Sequence, residues 1–148
     1  MAQLIRKILC PTDFSDESYR AIDYAAELAR QFGATVVLAH VVHVPSGELH
    51  QPDGRTLTFR EAEQRSRDKL EELRQQRLLS CPGAHVVAVE VGDPYEQLAE
   101  VARRLAVDLI VTSTHGRTGL SHLAMGSVAE KLIRHAPCPL LVVRPPAG

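Results

Sequence analysis

The chain has no tryptophan, and aromatic residues make up only 4% of its 148 residues. So few rings leave little material for stacking the bases of single-stranded nucleic acid. Neither sign of charge dominates, because 17 lysines and arginines stand against 18 aspartates and glutamates. The resulting net charge of -1 provides no general attraction for nucleic acid or for an anionic membrane. We therefore expect no nucleic-acid partner and no membrane partner.

Cysteine is also scarce. The spacing of Cys10, Cys81 and Cys138 does not match a CxxC site or a disulfide framework. We interpret them as small buried residues in a reducing compartment. No apolar run approaches the roughly 18 residues that a membrane helix needs. The N-terminal segment turns polar too soon for a signal peptide. These features predict one cytoplasmic domain that spans residues 1–148.

Short apolar runs alternate along the chain with longer stretches in which apolar residues recur every three or four positions. The runs predict strands at residues 5–10, 35–42, 85–91, 109–113 and 140–143. The periodic stretches predict helices at residues 15–32, 58–79, 93–105 and 126–135. The second and fourth strands are apolar at successive positions, which is typical of parallel strands covered on both faces. Right-handed crossovers then predict an α/β fold, a doubly wound three-layer sandwich, with a long surface loop at 44–57.

Ligands of open parallel sheets bind beyond the carboxyl ends of the strands, where the strand order reverses. The loop after the predicted fourth strand holds Gly116 and Gly126, and Ser127 opens the next helix. Glycine lets backbone amides approach an anion, and a helix N-terminus adds unpaired donors. Ser127 can donate its hydroxyl to a phosphate, and Arg117 adds positive charge. Alternatively, Gly116 and Gly119 only turn the chain, and Ser127 is an ordinary helix cap.

Several motifs occur together in a specific order: ILCPTDFS at 8–15, HVV at 40–42, HGRTG at 115–119, GSVAEK at 126–131 and APCPLLVV at 136–143. With these motifs the chain resembles the universal stress protein family along its whole length. The resemblance implies a Rossmann-like sheet of five parallel strands in the order 3-2-1-4-5. It also implies a homodimer formed through the C-terminal strand between Pro139 and Val143. That strand is short and apolar, and an uncovered edge favours pairing with a second copy.

One branch of the family binds ATP through the pattern G-x2-G-x9-G-[S/T]. Gly116, Gly126 and Ser127 match its second glycine, third glycine and hydroxyl residue, whereas Ser113 replaces the first glycine. The serine side chain takes up room beside the phosphates, although its hydroxyl can donate a hydrogen bond to one of them. The resemblance implies that Gly116, Gly126, Ser127 and Val128 hold phosphates.

The same resemblance implies that Pro11, Thr12 and Asp13 line the ribose side, and that backbone groups of Val41 meet the adenine edge. A short carboxylate such as Asp13 can accept ribose hydroxyls, as acidic residues do in dinucleotide sites. The alternative for Asp13 is a turn residue or a cap of the first helix. The alternative for Val41 is ordinary core packing.

The histidines allow other interpretations. His115 and His122 flank the glycine loop and can contact phosphate, unless they are simply exposed to solvent. His40, His43 and His50 do not have the spacing of a zinc site. Strand alternation predicts that His40 and His43 lie on opposite faces of the sheet, and we assign these histidines no role.

The catalytic motifs of related folds are missing from the sequence. It contains no G-x-S-x-G nucleophile elbow and no Walker lysine, and no general base is placed to activate water.

We expect a stress-response protein that binds ATP, ADP or AMP, with Mg²⁺ or Mn²⁺ held through the phosphates. It would act through its nucleotide-dependent state and be at most a slow ATPase. The alternative is a dimeric interaction protein of the stress response whose crevice binds no nucleotide, and Ser113 favours it. A receiver-like signalling domain is less consistent with the sequence, because Asp93 is better explained as a helix cap.

Overall fold

The computed structural model of the chain describes residues 3–43, 49–50, 53–54, 56–81, 83, 85–115 and 125–146. The strands in chain order are β1 (Lys7–Pro11), β2 (Thr35–Val42), β3 (Leu49–His50), β4 (Thr56–Leu57), β5 (Val86–Val91), β6 (Leu109–Ser113) and β7 (Leu140–Val143). The helices are α1 (Asp16–Phe32), α2 (Phe59–Arg77), α3 (Pro94–Arg104) and α4 (Ser127–His135).

Five of these strands form one parallel sheet in the order β5-β2-β1-β6-β7. This is the predicted order 3-2-1-4-5 once β3 and β4 are set aside, so the predicted fold class is confirmed. β3 and β4 pair with each other in an antiparallel ladder inside the segment that the sequence analysis took for a plain loop. That prediction was incomplete because each strand has only two residues, which is too short to show a period-two pattern.

Side-chain caps explain where the first two helices begin. The Ser15 side chain accepts a hydrogen bond from the N–H of Ser18 at the start of α1. At the other end, Gly33 adopts a left-handed conformation with φ of 67°, which glycine tolerates without strain. α2 starts with a capping box, in which the side chains of Thr58 and Glu61 each accept from the other's backbone N–H.

The sheet is covered on both faces, and alternation along β1 separates its side chains between them. Ile8 and Cys10 pack into a buried cluster with residues of α1 and α2. Leu9 packs into a second buried cluster with residues of α3 and α4. The molecule is therefore a three-layer α/β/α sandwich with one core on each side of the sheet. Within the described residues, no helix is long and apolar enough to cross a membrane.

All three cysteines are free thiols. Cys10 and Cys81 are buried and Cys138 is half-buried, in agreement with their interpretation as small packing residues. Burial raises the pKa of each of these thiols above its ordinary value. They are therefore protonated and poorly nucleophilic at neutral pH.

The sheet opens between β1 and β6. The ladder that joins them stops at the pair Leu9↔Ile110, before either strand ends. On the outer sides, β1 stays paired with β2 as far as Pro11↔Ala39, and β6 stays paired with β7 as far as Ser113. The two strands therefore separate toward their carboxyl ends and leave a crevice between them.

Asp108 fastens the other end of the junction between β1 and β6. Its carboxylate accepts hydrogen bonds from the backbone N–H groups of Arg6 at 2.8 Å and Lys7 at 3.0 Å. Its own N–H donates to the carbonyl of Lys7 at 2.9 Å. The two strands are thus joined at their amino ends and separate at their carboxyl ends.

Candidate functional site

A cavity of about 270 Å³ lies at the carboxyl ends of β1, β2 and β6. The chain order of the sheet reverses between β1 and β6, so the cavity lies where open α/β sheets bind their ligands. Nine residues predicted from the sequence line it: Pro11, Thr12, Asp13, Val41, Ser113, His115, Gly126, Ser127 and Val128. The other three predicted site residues, Gly116, Arg117 and Gly119, lie outside the described residues.

The turn after β1 is built from side-chain hydrogen bonds. The Thr12 hydroxyl is buried and lies 2.7 Å from the Ser18 hydroxyl, and it accepts from the N–H of Phe14 at 3.0 Å. Asp13 Oδ1 accepts from the N–H of Ser15 at 3.0 Å and from its hydroxyl at 2.5 Å. Asp13 is therefore a turn residue, as one interpretation of the sequence held, and it also lines the cavity.

The backbone of β2 explains what Val41 offers to the cavity. Thr12 donates its N–H to the carbonyl of Ala39 on the β1 side, and Gly92 donates to the carbonyl of Val42 on the β5 side. Backbone groups alternate between the two edges of a strand, so those of Val41 face the β1 side, like those of Ala39. The β1–β2 ladder ends at Ala39. The N–H and C=O of Val41 therefore face the region where β1 has left the sheet.

α4 begins beside the cavity without a side-chain cap. Gly126 is its N-cap residue, and it makes no side-chain capping hydrogen bond. The first intrahelical bond runs from the N–H of Glu130 to the carbonyl of Gly126 at 3.0 Å. The preceding amides, including those of Ser127 and Val128, have no acceptor within the helix. These first-turn residues line the cavity, so it borders the positive end of the helix dipole.

His115 is buried in the cavity wall, with 7% of its surface exposed. The alternative of a solvent-exposed side chain is therefore wrong. Its Nδ1 lies 3.0 Å from the Thr114 hydroxyl and 3.6 Å from Glu17 Oε2. Its Nε2 is buried, and no described residue forms a hydrogen bond with it. Leaving such a group unsatisfied costs about 1–3 kcal/mol, and a ligand that hydrogen-bonds to it would recover this free energy.

Ser113 lines the cavity at the end of β6 and uses its hydroxyl inside the protein. The hydroxyl donates a hydrogen bond to the carbonyl of His115 at 2.9 Å. In this arrangement the proton that the sequence analysis offered to a phosphate is already committed. Ser113 then presents oxygen lone pairs, which do not attract an anion.

Two histidines to which the sequence analysis assigned no role also line the cavity. His40 lies in β2, where its Nδ1 is 2.8 Å from the carbonyl of Thr12 and its ring centroid is 4.5 Å from that of Phe14. His43 follows the strand, and its Nδ1 lies 3.1 Å from the carbonyl of Gly92. The rule that ligands bind at strand ends could have identified both, because they stand at the carboxyl end of β2.

α3 and α1 contribute cavity residues that carried no signal in the sequence. Pro94 and Leu98 reach the cavity from α3, and Ser18 reaches it from α1. Among the described residues, no group of three or more His, Cys, Asp or Glu side chains is arranged to hold a metal ion. His122 lies outside the described residues, as does the side chain of His50.

The parallel order and the cavity at its reversal point define an open doubly wound α/β protein with a crevice at the carboxyl ends of its strands. The model of the universal stress protein family matches residues 4–144. The chain belongs to this family.

Individual relatives agree with this assignment. The chain is 35% identical over 144 residues to a universal stress protein of Methanocaldococcus jannaschii, and the match covers 97% of this chain and 84% of the relative. The solved structure of the universal stress protein UspA from Lactobacillus plantarum is similar with a TM-score of 0.78 at 25% identity, covering 97% of this chain and 100% of that one. A third protein, a universal stress protein in complex with cAMP, shares the fold with a TM-score of 0.72 at 21% identity, covering 95% and 97% of the two chains.

Proposed function

We propose that the protein binds an adenine nucleotide in the cavity between β1 and β6, and that it acts through its nucleotide-dependent state and not through rapid turnover. The observation that carries this proposal is the buried Nε2 of His115, which has no hydrogen-bond partner among the described residues, beside the uncapped start of α4. Both features offer hydrogen-bonding groups at one end of the cavity. An anionic group would satisfy them together.

The phosphate end of the proposed site is formed by α4 and His115. The amides of Ser127 and Val128 supply donors, and the dipole of α4 favours negative charge at its N-terminus. When the Thr114 hydroxyl donates to His115 Nδ1, Nε2 carries the proton and can donate to a phosphate oxygen. By the family pattern, Gly116 would add contacts to the phosphates. Arg117 and Gly119 of the same loop would add positive charge and a further backbone amide.

The base and ribose ends follow from β2 and β1. The N–H and C=O of Val41 can pair with the edge of a purine, and its side chain offers an apolar contact. Asp13 can accept a ribose hydroxyl, because its carboxylate is oriented by Ser15. The cAMP complex of the structural relative supports an adenine nucleotide as the ligand class. ATP, with Mg²⁺ or Mn²⁺ held through its phosphates, is the ligand that the glycine pattern favours.

A titration of the purified protein with ATP, ADP and AMP, with and without Mg²⁺, tests the proposal. Gly126→Val is the informative variant, because Gly126 has φ of -63°, which any residue adopts. A branched side chain there would take up room at the start of α4. We expect at least a tenfold loss of nucleotide affinity, about 1.4 kcal/mol or more. The circular dichroism spectrum should not change.

Two results would contradict this expectation. Wild-type protein that binds none of these nucleotides at about 1 mM, a concentration that detects even weak association, would refute the proposal. Unchanged affinity in folded Gly126→Val would show that the ligand binds elsewhere. The first result would favour the second candidate function, a dimeric interaction protein with an unused crevice. One observation supports that candidate, namely the Ser113 side chain in the cavity wall.

We also propose that two copies of the chain associate through β7. Ile110 and Thr114 donate their N–H groups to the carbonyls of Pro139 and Val143, so these carbonyls face β6. Alternation directs the N–H and C=O of Val142 to the other side, the edge of the described sheet. Leu141 on this strand is 37% exposed, which adds apolar surface beside the edge. A second β7 strand would satisfy these backbone groups and bury that surface.

A further inference from the structure

His43 stands beside the part of the cavity that we assign to the base. It follows β2 immediately, two residues after Val41, and both residues line the cavity. Pro94 and Leu98 of α3 line the same cavity, and they are apolar. The imidazole of His43 therefore places a hydrogen-bonding group beside the apolar surface on which a flat base would lie.

The hydrogen bond of His43 fixes the position of its proton. Nδ1 lies 3.1 Å from the carbonyl oxygen of Gly92. A carbonyl oxygen can only accept, so Nδ1 must carry the hydrogen. In the neutral imidazole the other nitrogen, Nε2, is then a hydrogen-bond acceptor.

Gly92 makes this contact well defined. Its N–H donates to the carbonyl of Val42 at 3.1 Å, so its backbone is tied to the end of β2. Its φ of 141° lies in a region that side chains rarely adopt. The carbonyl that orients His43 is therefore held by the sheet itself.

We propose that His43 determines the base specificity of the cavity, with its Nε2 accepting a hydrogen bond from the exocyclic amino group of a 6-aminopurine. This inference rests on the proposed function and specifies the chemistry of the base. The amino group has two hydrogens, so it can donate to His43 and to the carbonyl of Val41 at once. A 6-oxopurine presents a lone pair in the same place, and two acceptors repel each other.

His40 also lines the cavity, from the other face of β2. Its Nδ1 also forms a hydrogen bond with a backbone carbonyl, that of Thr12, and its ring packs against Phe14. Phe14 belongs to the cluster of α1 and α2, whereas Val41 packs with the cluster of α3 and α4. His40 therefore lies on the opposite face of β2 from Val41.

The experiment compares three nucleoside monophosphates that differ only at the base: AMP, purine riboside 5′-monophosphate, which lacks the amino group, and IMP. Affinities are measured by calorimetry at about pH 8. The proteins are wild type, His43→Phe and His135→Gln. Phenylalanine keeps a flat ring without nitrogen, and His135 is an exposed histidine of α4 that does not line the cavity.

Wild type and His135→Gln should bind AMP at least about tenfold more tightly than purine riboside 5′-monophosphate, which lacks the hydrogen bonds to both His43 and Val41. IMP should bind more weakly still. In His43→Phe this preference should fall by about threefold or more, to the contribution of the Val41 carbonyl alone. An undiminished preference in folded His43→Phe would overturn the inference, as would equal binding of these two ligands by wild type.

The outcome also separates this inference from the proposed function. If all three nucleotides bind and the preference does not depend on His43, the base assignment fails and the nucleotide cavity stands. If wild-type protein binds none of them, both fail together. A ¹⁵N spectrum of the histidine rings gives a second readout, because AMP and not purine riboside 5′-monophosphate should shift the Nε2 resonance of His43.

Discussion

Ser113 is the residue at which this chain departs from the glycine pattern of ATP-binding universal stress proteins. Its side chain lines the cavity, and its hydroxyl donates to the carbonyl of His115. A glycine at this position would remove both the volume and the lone pairs that would face the phosphates of the proposed ligand. We therefore expect the serine to have its largest effect on ligands with the longest phosphate chain.

Ser113→Gly should accordingly bind ATP about three- to tenfold more tightly than wild type, and the gain for AMP should be smaller. The measurement is a calorimetric titration of both proteins with both nucleotides. Ser80→Gly, at an exposed serine that does not line the cavity, is the matched control and should bind as wild type does. Equal ATP affinities in Ser113→Gly and wild type would show that this side chain does not limit the site.

Histidines illustrate where residue-level prediction fails. Alternation along β2 predicts opposite faces for His40 and His43, which suggested two unrelated side chains. The cavity lies beyond the end of the strand, where side chains from both faces border the same space. A pattern that describes the flat part of a sheet therefore says little about its edge. The burial of His115 was likewise invisible in the sequence, because it depends on packing against Thr114 and Glu17.

At the scale of elements, capping distinguishes α4 from the other helices. Ser15, Thr58 and Asp93 each cap a helix with a side-chain oxygen. Gly126 provides no such group to α4. The sequence analysis identified the cap at Asp93, but it considered Asp13 for α1 and Ser127 for α4, where the structure has Ser15 and Gly126. Only the assembled sheet shows that the uncapped helix is the one that borders the cavity.

Thr58→Ala tests how much one of these caps contributes. It removes the side-chain acceptor for the N–H of Glu61 and half of a reciprocal pair. The free energy of unfolding, measured in urea, should fall by about 1 kcal/mol.

Thr58→Ser keeps the hydroxyl and should retain most of the stability. Neither variant should change nucleotide affinity, because Thr58 does not line the cavity. Equal stability of wild type and Thr58→Ala would mean that the capping box contributes nothing to the folded state.

The element order was predictable because buried parallel strands and amphipathic helices have different apolar periods. The hairpin of β3 and β4 was not predictable, since two-residue strands carry no period and the segment is rich in proline and glycine. The turn after β1 is an intermediate case. Its polar residues were identified from the sequence. Asp13, however, is both a turn residue and part of the cavity lining, which the sequence analysis treated as alternatives.

At the scale of the whole molecule, β7 is the strand through which we propose that two copies of the chain associate. Val142→Pro should convert the proposed dimer to a monomer in sedimentation experiments, because proline removes the N–H that faces the edge of the sheet. The ladder with β6 should survive, since the carbonyls of Pro139 and Val143 serve that side.

Val142→Ala retains the backbone N–H and is the matched control, which should remain dimeric. A Val142→Pro protein that sediments as the same dimer would contradict association through β7. A wild-type protein that is monomeric at all concentrations would contradict the dimer itself.

The short ladder between β1 and β6 affects the molecule beyond its role in forming a crevice. It divides the sheet into two halves, one formed by β5, β2 and β1 and the other by β6 and β7. Asp108 joins the two halves at the amino ends of β1 and β6. A nucleotide that contacts Val41 in one half and α4 in the other would bridge the gap between β1 and β6. The two halves would then be held together more firmly when the nucleotide site is occupied. A change in nucleotide concentration would therefore change the rigidity of the whole domain.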